Sequence, residues 1–253
     1  MRMNKSLLGL SMWVACLFAD VASAGVVSIQ QYSGFLYSGS LGSTSLEYTG
    51  INYSEDELSP AGVTASFTSN LDADNLGSAT WSFVNNSGGL LADAWFFVFL
   101  DAEIDQATNT FFNESGALAS VNGAGAGDIY ADSWEIDEPG YLFGDIYDHL
   151  LAGYLDNSNG VPAGAEDDVS MALGFSLGDL EEGAIVTAEM IFSRLNIGGL
   201  NHADDDSAES LFFNGTAVVQ GGAPVQVPEP GIAIILLTGL LFVGVARRKS
   251  RLS

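Results

Sequence analysis

The chain has 253 residues, of which 32 are acidic and seven basic, and its formal net charge at pH 7 is −25. Between Gly25 and Val227 the imbalance is larger, because 30 acidic residues fall in this interval with one basic residue, Arg194. Contacts to phosphate groups require lysine and arginine, so this composition excludes binding to nucleic acid and to anionic lipid. Hydrophobic residues make up 47% of the chain, which predicts a folded protein rather than a disordered one.

Residues 1–24 have the pattern of a secretory signal peptide. Arg2 and Lys5 give a positively charged start, an apolar run extends from Leu7 to Ala19, and Ala22-Ser23-Ala24 forms an A-x-A cleavage site. The single cysteine, Cys16, lies too deep inside the apolar run for a lipoprotein cysteine. The exported chain is therefore expected to contain no cysteine and no disulfide.

Apolar and polar residues alternate over most of the first half of the chain, which predicts β-strands. The predicted strands are Val26 to Tyr37, Ser45 to Tyr53, Val63 to Thr68, Ala79 to Val84 and Leu90 to Ile104. The last of these differs from the others, because Trp95 to Leu100 is apolar on both faces. A strand buried on both sides lies at the centre of a sheet or sandwich, so this one is predicted to be the core strand.

The middle of the chain lacks the alternating pattern of the first half. Gly116 to Gly127 is small and polar, which is typical of a surface loop. From Gly140 to Leu155 apolar pairs recur every four residues, and this spacing predicts one amphipathic helix inserted among the strands. His149 lies on that helix, where a packed or solvated side chain is expected.

Strands are predicted again in the last third, over Met171 to Leu177, Ala184 to Phe192 and Ser210 to Val219. Short strands separated by turns at this spacing are typical of an antiparallel β-sandwich or a jelly-roll-like domain. The fold prediction is thus a mainly β domain over residues 25–220 with one inserted amphipathic helix.

Few residue types that carry out catalysis are present in the exported part. Its two histidines are His149 and His202, and His202 is predicted to be solvated in a loop before three aspartates. There is no Gly-x-Ser-x-Gly elbow, no glycine-rich phosphate loop and no cysteine–histidine set for zinc. The sequence therefore predicts a protein that is not an enzyme and has no required cofactor.

Carboxylates are the abundant functional groups, and calcium is the ion that oxygen ligands suit. Asp101, Glu103 and Asp105 alternate with Ala102 and Ile104, which places the three carboxylates on one face at a strand end and makes them candidate metal ligands. Three acidic loops are similar candidates: Asp72 with Asp74, Glu166-Asp167-Asp168 and Asp204-Asp205-Asp206. None has EF-hand spacing, and for any single cluster a solvated acidic surface is the favoured explanation.

The C-terminal segment has three parts. Val227-Pro228-Glu229-Pro230 ends a linker over residues 221–230 and should be extended, because its prolines prevent helix and sheet pairing. Gly231 to Ala246 is apolar over 16 residues, enough for a short membrane helix of roughly 24 Å. Residues 247–253 then supply a basic tail that is expected to stay cytoplasmic. Its basic residues are Arg247, Arg248, Lys249 and Arg251.

These three parts in this order resemble the PEP-CTERM sorting signal of Gram-negative bacteria, which is also catalogued as the ice-binding protein C-terminal domain. The resemblance covers about a tenth of the chain. It implies that the export machinery and exosortase are partners, and that the protein is held transiently in the inner membrane. Cleavage near Pro228-Glu229-Pro230, followed by release or attachment at the cell surface, is also implied. A plain C-terminal membrane anchor with a proline-containing linker is the alternative.

Together these features predict an exported protein of the cell surface or extracellular matrix, with a structural or adhesive role in exopolysaccharide or biofilm. One alternative is a calcium- or carbohydrate-binding module, with Trp81, Trp95 or Trp134 as platforms for stacking sugars. Trp81 and Trp95 fall on predicted strands, whereas Trp134 lies among acidic residues and is expected to be exposed. A secreted glycosidase is a third alternative.

Overall fold

The computed structural model describes residues 27–46, 62–105, 110–121, 129–140, 143–207 and 209–222. This part of the chain contains eleven strands and one α-helix. They are β1 (Val27–Ser38), β2 (Gly42–Leu46), β3 (Val63–Leu71), β4 (Gly77–Asn85), β5 (Leu91–Ile104), β6 (Glu114–Ala119), β7 (Ser133–Asp137), α1 (Ile146–Ala152), β8 (Ser170–Leu180), β9 (Ile185–Ser193), β10 (Gly199–Asp204) and β11 (Ser210–Gln220).

The strands form two sheets in which every pairing is antiparallel. Sheet A has the order β2-β1-β5-β8-β7, and sheet B has the order β3-β4-β9-β11-β10-β6. The prediction of a mainly β, antiparallel, two-sheet architecture is therefore confirmed. The apolar strand β5 pairs with β1 on one side and β8 on the other, as its sequence predicted.

The main hydrophobic core lies between the two sheets, because one side of each long strand is apolar. From sheet A, β5 contributes Phe96 and Val98; from sheet B, β4 contributes Trp81 and Phe83. The ring centre of Phe96 lies 5.9 Å from that of Trp81 and 5.5 Å from that of Phe83. Large aromatic rings from facing strands therefore join the two sheets.

A glycine in β1 packs directly against large rings of the main core. A Cβ atom on Gly34 would lie 2.8 Å from Nε1 of Trp81 and 3.1 Å from the ring of Phe96, both of which are fully buried. A side chain at this position would force two large core rings apart. Glycine is thus required here by packing rather than by backbone conformation.

A second, smaller core lies on the outer side of sheet A, beneath α1. Phe97 and Phe99 of β5 point to this side and contact Ile146 and Leu150 of the helix. Phe35 of β1 joins the same cluster. Because β5 is apolar on both faces, it supplies both cores, and α1 covers only the first part of its outer face.

The helix is shorter than its sequence pattern predicted. It spans Ile146–Ala152 rather than the expected 140–155. Gly140 and Gly144 have φ angles of 86° and 74°, which a right-handed helix cannot contain, and Gly153 ends the helix in the left-handed conformation. The apolar spacing correctly predicts the central part of the helix, but the glycines make the helix shorter than the apolar pattern.

Strands β6, β7 and β10 were not predicted from the sequence. The strand predicted over Ser45 to Tyr53 shares only Ser45 and Leu46 with β2, and the rest of it lies outside the described residues. The segment from Gly116 to Gly127 was expected to be a loop, but residues 116–119 belong to β6, which pairs with β10. These strands have five or six residues, and β6 consists largely of small residues. Short strands of this composition form because longer neighbours provide the pairing partner, so their own patterns are weak.

Candidate functional site

The outer face of sheet A changes from apolar to acidic along β5. Phe97 and Phe99 lie beneath α1, and the next outward positions are Asp101 and Glu103. Asp101 is directly opposite Ser170 of β8. The alternation that builds the second core therefore also carries two carboxylates past the edge of the helix.

Asp101 is the first member of the site. Burial raises the pKa of its carboxyl to about 6, although the neighbouring Ser170 hydroxyl and the nearby His202 favour the ionised form. Glu114 acts in the opposite direction, because a second negative charge raises the pKa further.

Glu103 is the second member of the site, and its carboxyl group is in the least favourable environment for a negative charge. Its side chain is 7% exposed, and its Oε2 atom is buried without a hydrogen-bond partner. Burial raises its pKa to about 8, and the neighbouring carboxylates of Glu114, Asp168 and Asp101 raise it as well. Ionised Glu103 would therefore have one buried oxygen without a hydrogen-bond donor beside three other carboxylates, which is an unfavourable state.

Glu114 and His202 come from sheet B and are both fully buried. Oε1 of Glu114 accepts a hydrogen bond of 2.9 Å from the backbone N–H of Ile104, at the end of β5. Its Oε2 lies 2.8 Å from Nε2 of His202, and this contact is an ion pair when the imidazole is protonated. The prediction that His202 is solvated in a loop is wrong, because it lies on β10 and faces inward.

Asp168 lies just before β8, between the buried side chains of the site and the solvent. Burial raises its pKa to about 7, with further contributions from Asp101 and Glu114 and smaller ones from Asp167 and Glu138. It also lines an open pocket of about 250 Å³. The other lining residues are Phe111, Phe112, Glu138, Pro139, Phe143 and Asp167.

We call Asp101, Glu103, Glu114, Asp168 and His202 the acidic centre. It places four carboxylates, all close enough to interact electrostatically, against one imidazole. Such a group loses its excess negative charge either by binding protons or by binding a cation. Of the predicted metal ligands, Asp101 and Glu103 belong to the centre, as does Asp168 from the acidic loop Glu166-Asp167-Asp168. Asp105 does not share their strand face, because β5 ends at Ile104 and Asp105 has a φ angle of 57°.

A second group of ionisable side chains lies at α1. Among the described residues, Glu135, Asp145 and His149 are the set whose possible ligand atoms all lie within 4.8 Å of one another. Nδ1 of His149 is 2.8 and 3.0 Å from the two carboxylate oxygens of Glu135, and its Nε2 is 3.5 Å from Oδ2 of Asp145. The imidazole thus lies between two carboxylates that neutralise it, and we call this group the α1 latch.

The remaining acidic loops are explained by turns. Oδ1 of Asp72 accepts hydrogen bonds from the backbone N–H groups of Asp74 and Leu76. Oδ1 of Asp204 accepts hydrogen bonds from the backbone N–H groups of Asp206 and Ser207. These carboxylates stabilise their own loops, as aspartate does in many turns.

The three candidate tryptophans, Trp81, Trp95 and Trp134, are buried or partly buried and are not exposed sugar platforms. Trp81 is 1% exposed in the main core, and Trp95 stacks on Phe97 with ring centres 5.7 Å apart. Trp134 was expected to be exposed, but it is partly buried and packs against the main core. The acidic neighbours of Trp134 suggested exposure, whereas strand alternation in β7 turns the indole inward.

Comparison with protein-family models, with curated proteins and with solved structures finds no match for this chain. Among the residues that the structure describes, no helix has the length and apolar character needed to cross a membrane. The predicted signal-cleavage site at Ala22 and Ala24, the Val227–Pro230 sorting motif and the basic cluster lie outside the described residues. They therefore stay predictions.

Proposed function

We propose that the folded region is a structural domain of an exported surface or matrix protein, and that its acidic centre binds a divalent cation, most suitably calcium. The observation that carries the proposal is Glu103, which is 7% exposed and has a buried oxygen without a hydrogen-bond donor. It lies among three further carboxylates, so a cation would supply the missing partner for the whole group.

Calcium suits this environment for two reasons. It accepts carboxylate, carbonyl and water oxygens in flexible geometry, and its double charge offsets more repulsion than a sodium ion does. In the described structure the carboxylates of the acidic centre do not form a trio within 4.8 Å. Calcium would therefore draw them inward and complete its coordination shell with water.

Thermal unfolding of the purified protein tests this proposal. We expect calcium at about a hundredfold excess over Kd to stabilise the fold by about 2.7 kcal/mol, which is roughly 5–10 °C in Tm for a domain of this length. The reference is sodium chloride at equal ionic strength with chelator, because screening alone also raises Tm.

Two variants locate the effect. Glu103→Gln and Asp168→Asn should abolish the calcium-specific increase in Tm. The control Glu181→Gln removes one charge at an exposed position in the turn after β8 and should leave the increase intact. Equal melting curves in calcium and in matched sodium chloride would contradict the proposal.

Export and sorting form the second part of the proposal. They are supported by the order of Val227-Pro228-Glu229-Pro230, an apolar run and a basic tail, and by the A-x-A site ending at Ala24. An exosortase would then release the acidic domain into exopolysaccharide or biofilm, where it has a structural or adhesive role. Mass spectrometry of surface material should find peptides ending near Val227, whereas intact tails through Ser253 outside the cytoplasm would contradict sorting.

Glycoside hydrolysis is a second candidate that one observation favours. Asp168 and Glu138 both line the pocket, and burial raises the pKa of each. A protonated and an ionised carboxyl flanking a sugar are what acid–base hydrolysis needs. Release of reducing ends from matrix polysaccharide, abolished by Asp168→Asn and retained by Glu181→Gln, would establish this activity in place of a purely structural role.

A further inference from the structure

The outer side of sheet B is an ordered surface of unusual composition. Strands β3, β4, β9 and β11 pair over this region without a β-bulge, so outward side chains align in four straight rows. The rows are Thr64–Val84–Ile185–Gln220, Ser66–Ser82–Thr187–Val218, Thr68–Thr80–Glu189–Thr216 and Asn70–Ser78–Ile191–Asn214. We call these sixteen positions the hydroxyl face, because five are threonine and three are serine.

The hydroxyl face is almost uncharged in a very acidic protein. Of its sixteen residues only Glu189 carries a charge, although the chain has a net charge of −25. Acidic residues are common in the turns and on sheet A, so their scarcity here sets this surface apart. An anionic partner would meet a carboxylate and no cation on the face, while an uncharged partner would meet no electrostatic barrier.

The face also combines hydroxyl groups with exposed apolar side chains. Ile185, Ile191 and Val218 are 38%, 41% and 55% exposed, respectively. Each threonine adds a methyl group beside its hydroxyl, so hydrogen-bonding and apolar contacts alternate over short distances. A pyranose ring presents the same mixture, with hydroxyl groups at its rim and C–H groups on its faces.

One end of the face contains a small pocket. It has a volume of about 110 Å³ and is lined by four members of the face, Glu189, Ile191, Asn214 and Thr216, together with Tyr130, Ile197 and Gly215. Tyr130 is 69% exposed, whereas Trp81 is buried and Trp95 and Trp134 are partly buried. Asn214 is buried and hydrogen-bonds to the backbone of Ile197 and Gly215, so the groups offered to a ligand are the Tyr130 ring, the Glu189 carboxylate and the Thr216 hydroxyl. Together they provide stacking and hydrogen bonding for a sugar.

We propose that the hydroxyl face binds an extended neutral polysaccharide chain, with one sugar unit held in the Tyr130 pocket. The proposal rests on the matrix role proposed above, and it names the partner for that role. The strands lie about 4.8 Å apart and rise about 3.4 Å per residue, so the face extends over about 20 Å along the strands and about 14 Å across them. This shape suits an extended polymer lying along the surface.

A second copy of the protein fits this face poorly. The area that follows from these dimensions is about 300 Å², whereas a stable protein–protein interface buries about 800 Å² on each partner. Two copies would also bring together two chains that each carry a net charge of −25. The size and charge of the face therefore favour a narrow, neutral polymer.

Retention on insoluble polysaccharides tests the proposal. The purified protein is incubated with microcrystalline cellulose, which is neutral and extended, with cross-linked dextran, which is neutral but flexible, and with alginate gel, which is anionic. We expect cellulose to retain at least about tenfold more protein than alginate, with dextran intermediate. No retention on cellulose, or equal retention on cellulose and alginate, would overturn the proposal.

Matched variants locate the binding surface. Tyr130→Ala and Ser82→Glu should each lower retention on cellulose about tenfold. Their controls, Tyr154→Ala and Ser176→Glu, change the same residue types at exposed positions near α1 and on sheet A and should bind like wild type. Unchanged Tm confirms that each variant folds, and wild-type retention by both Tyr130→Ala and Ser82→Glu would refute the assignment.

Analytical ultracentrifugation tests whether the face binds a second copy of the protein instead. A dimer that Ser82→Glu dissociates would show this. These assays need neither export nor calcium. Failure on cellulose with an intact calcium increment and correct C-terminal processing would therefore reject the polysaccharide site alone.

Discussion

Glu103 shows how a single residue sets the properties of the acidic centre. Without a cation, its carboxyl avoids an unfavourable buried charge by keeping its proton, which is why its pKa rises to about 8. Calcium binding would displace that proton, since a metal ligand must be ionised. Calcium affinity should thus increase with pH across the neutral range.

The first prediction concerns the charge on Glu103. In chelator at pH 8, Glu103→Gln should raise the free energy of unfolding by at least about 1.4 kcal/mol, the equivalent of one pKa unit, because it removes a buried charge without a partner. The wild-type protein should also lose stability as pH rises from about 4.5 to about 8, because its folded state binds the proton more tightly than its unfolded state. Urea titration at pH 5 and pH 8 measures both effects, and a flat wild-type profile would argue against the burial of this charge.

Single residues also mark what the sequence could not reveal about the site. Asp101 and Glu103 were identified because they alternate at the end of an apolar strand. Glu114 and His202 lie 88 positions apart, and only the pairing of β6 with β10 brings them together. Neither residue has a local pattern that distinguishes it from a solvated one, so their partnership follows from tertiary structure alone.

At the level of secondary-structure elements, the α1 latch couples the helix to β7. Burial raises the pKa of Glu135 to about 7, in opposition to hydrogen bonds from His149 and from the backbone of Asp156. Burial lowers the pKa of His149, but Glu135, Asp145 and Asp156 outweigh this effect, and the pKa ends above its ordinary value. The contributions of Glu135 and His149 to fold stability change in the same direction with pH. Both are present at low pH and are lost as pH rises, through about 7 for Glu135 and through the raised pKa of His149.

Hydrogen exchange provides the second prediction. Protection of the α1 backbone amides should decrease between pH 6 and pH 8.5 after correction for intrinsic exchange. In the double variant Glu135→Gln/His149→Gln both titrating groups are gone, so protection should no longer depend on pH. Amides in β9 serve as the internal reference, and the same pH dependence in wild type and double variant would exclude the latch as its cause.

The elements also show where sequence patterns are reliable. The sequence predicts the long strands β1, β5, β8, β9 and β11 within a few residues of their observed bounds, because each has a long alternating or continuously apolar pattern. Short β6, β7 and β10 were missed, and the helix was too long by several residues at each end. In these cases tertiary pairing and glycine conformation, rather than apolar spacing, determine the structure.

For the whole molecule, repulsion among the acidic residues is the main destabilising contribution to the fold that solvent conditions can change. With one arginine to balance 30 acidic residues between Gly25 and Val227, long-range repulsion destabilises the compact state. The third prediction is that raising sodium chloride from about 10 mM to about 500 mM in chelator increases Tm by several degrees, because the Debye length shortens from about 30 Å to below 8 Å. An equal osmolarity of sucrose controls for general solvent effects, and a Tm independent of salt would show that repulsion is not a significant term.

The order of strands in the sheets has a consequence for when the chain can fold. β1 begins at Val27 but pairs with β5, whose first residue is Leu91, and β4 pairs with β9, about 100 residues later. Neither sheet is complete until β8 and β11 are available, so a partly synthesised chain cannot form the complete sandwich.

Pairing between strands that are far apart in the sequence also slows folding, to the range of about milliseconds to seconds. The fluorescence of Trp81, buried between the sheets, would report this rate in stopped-flow refolding. Folding on this timescale is compatible with the export proposed above, in which the chain would cross the membrane unfolded and would form its sheets afterwards.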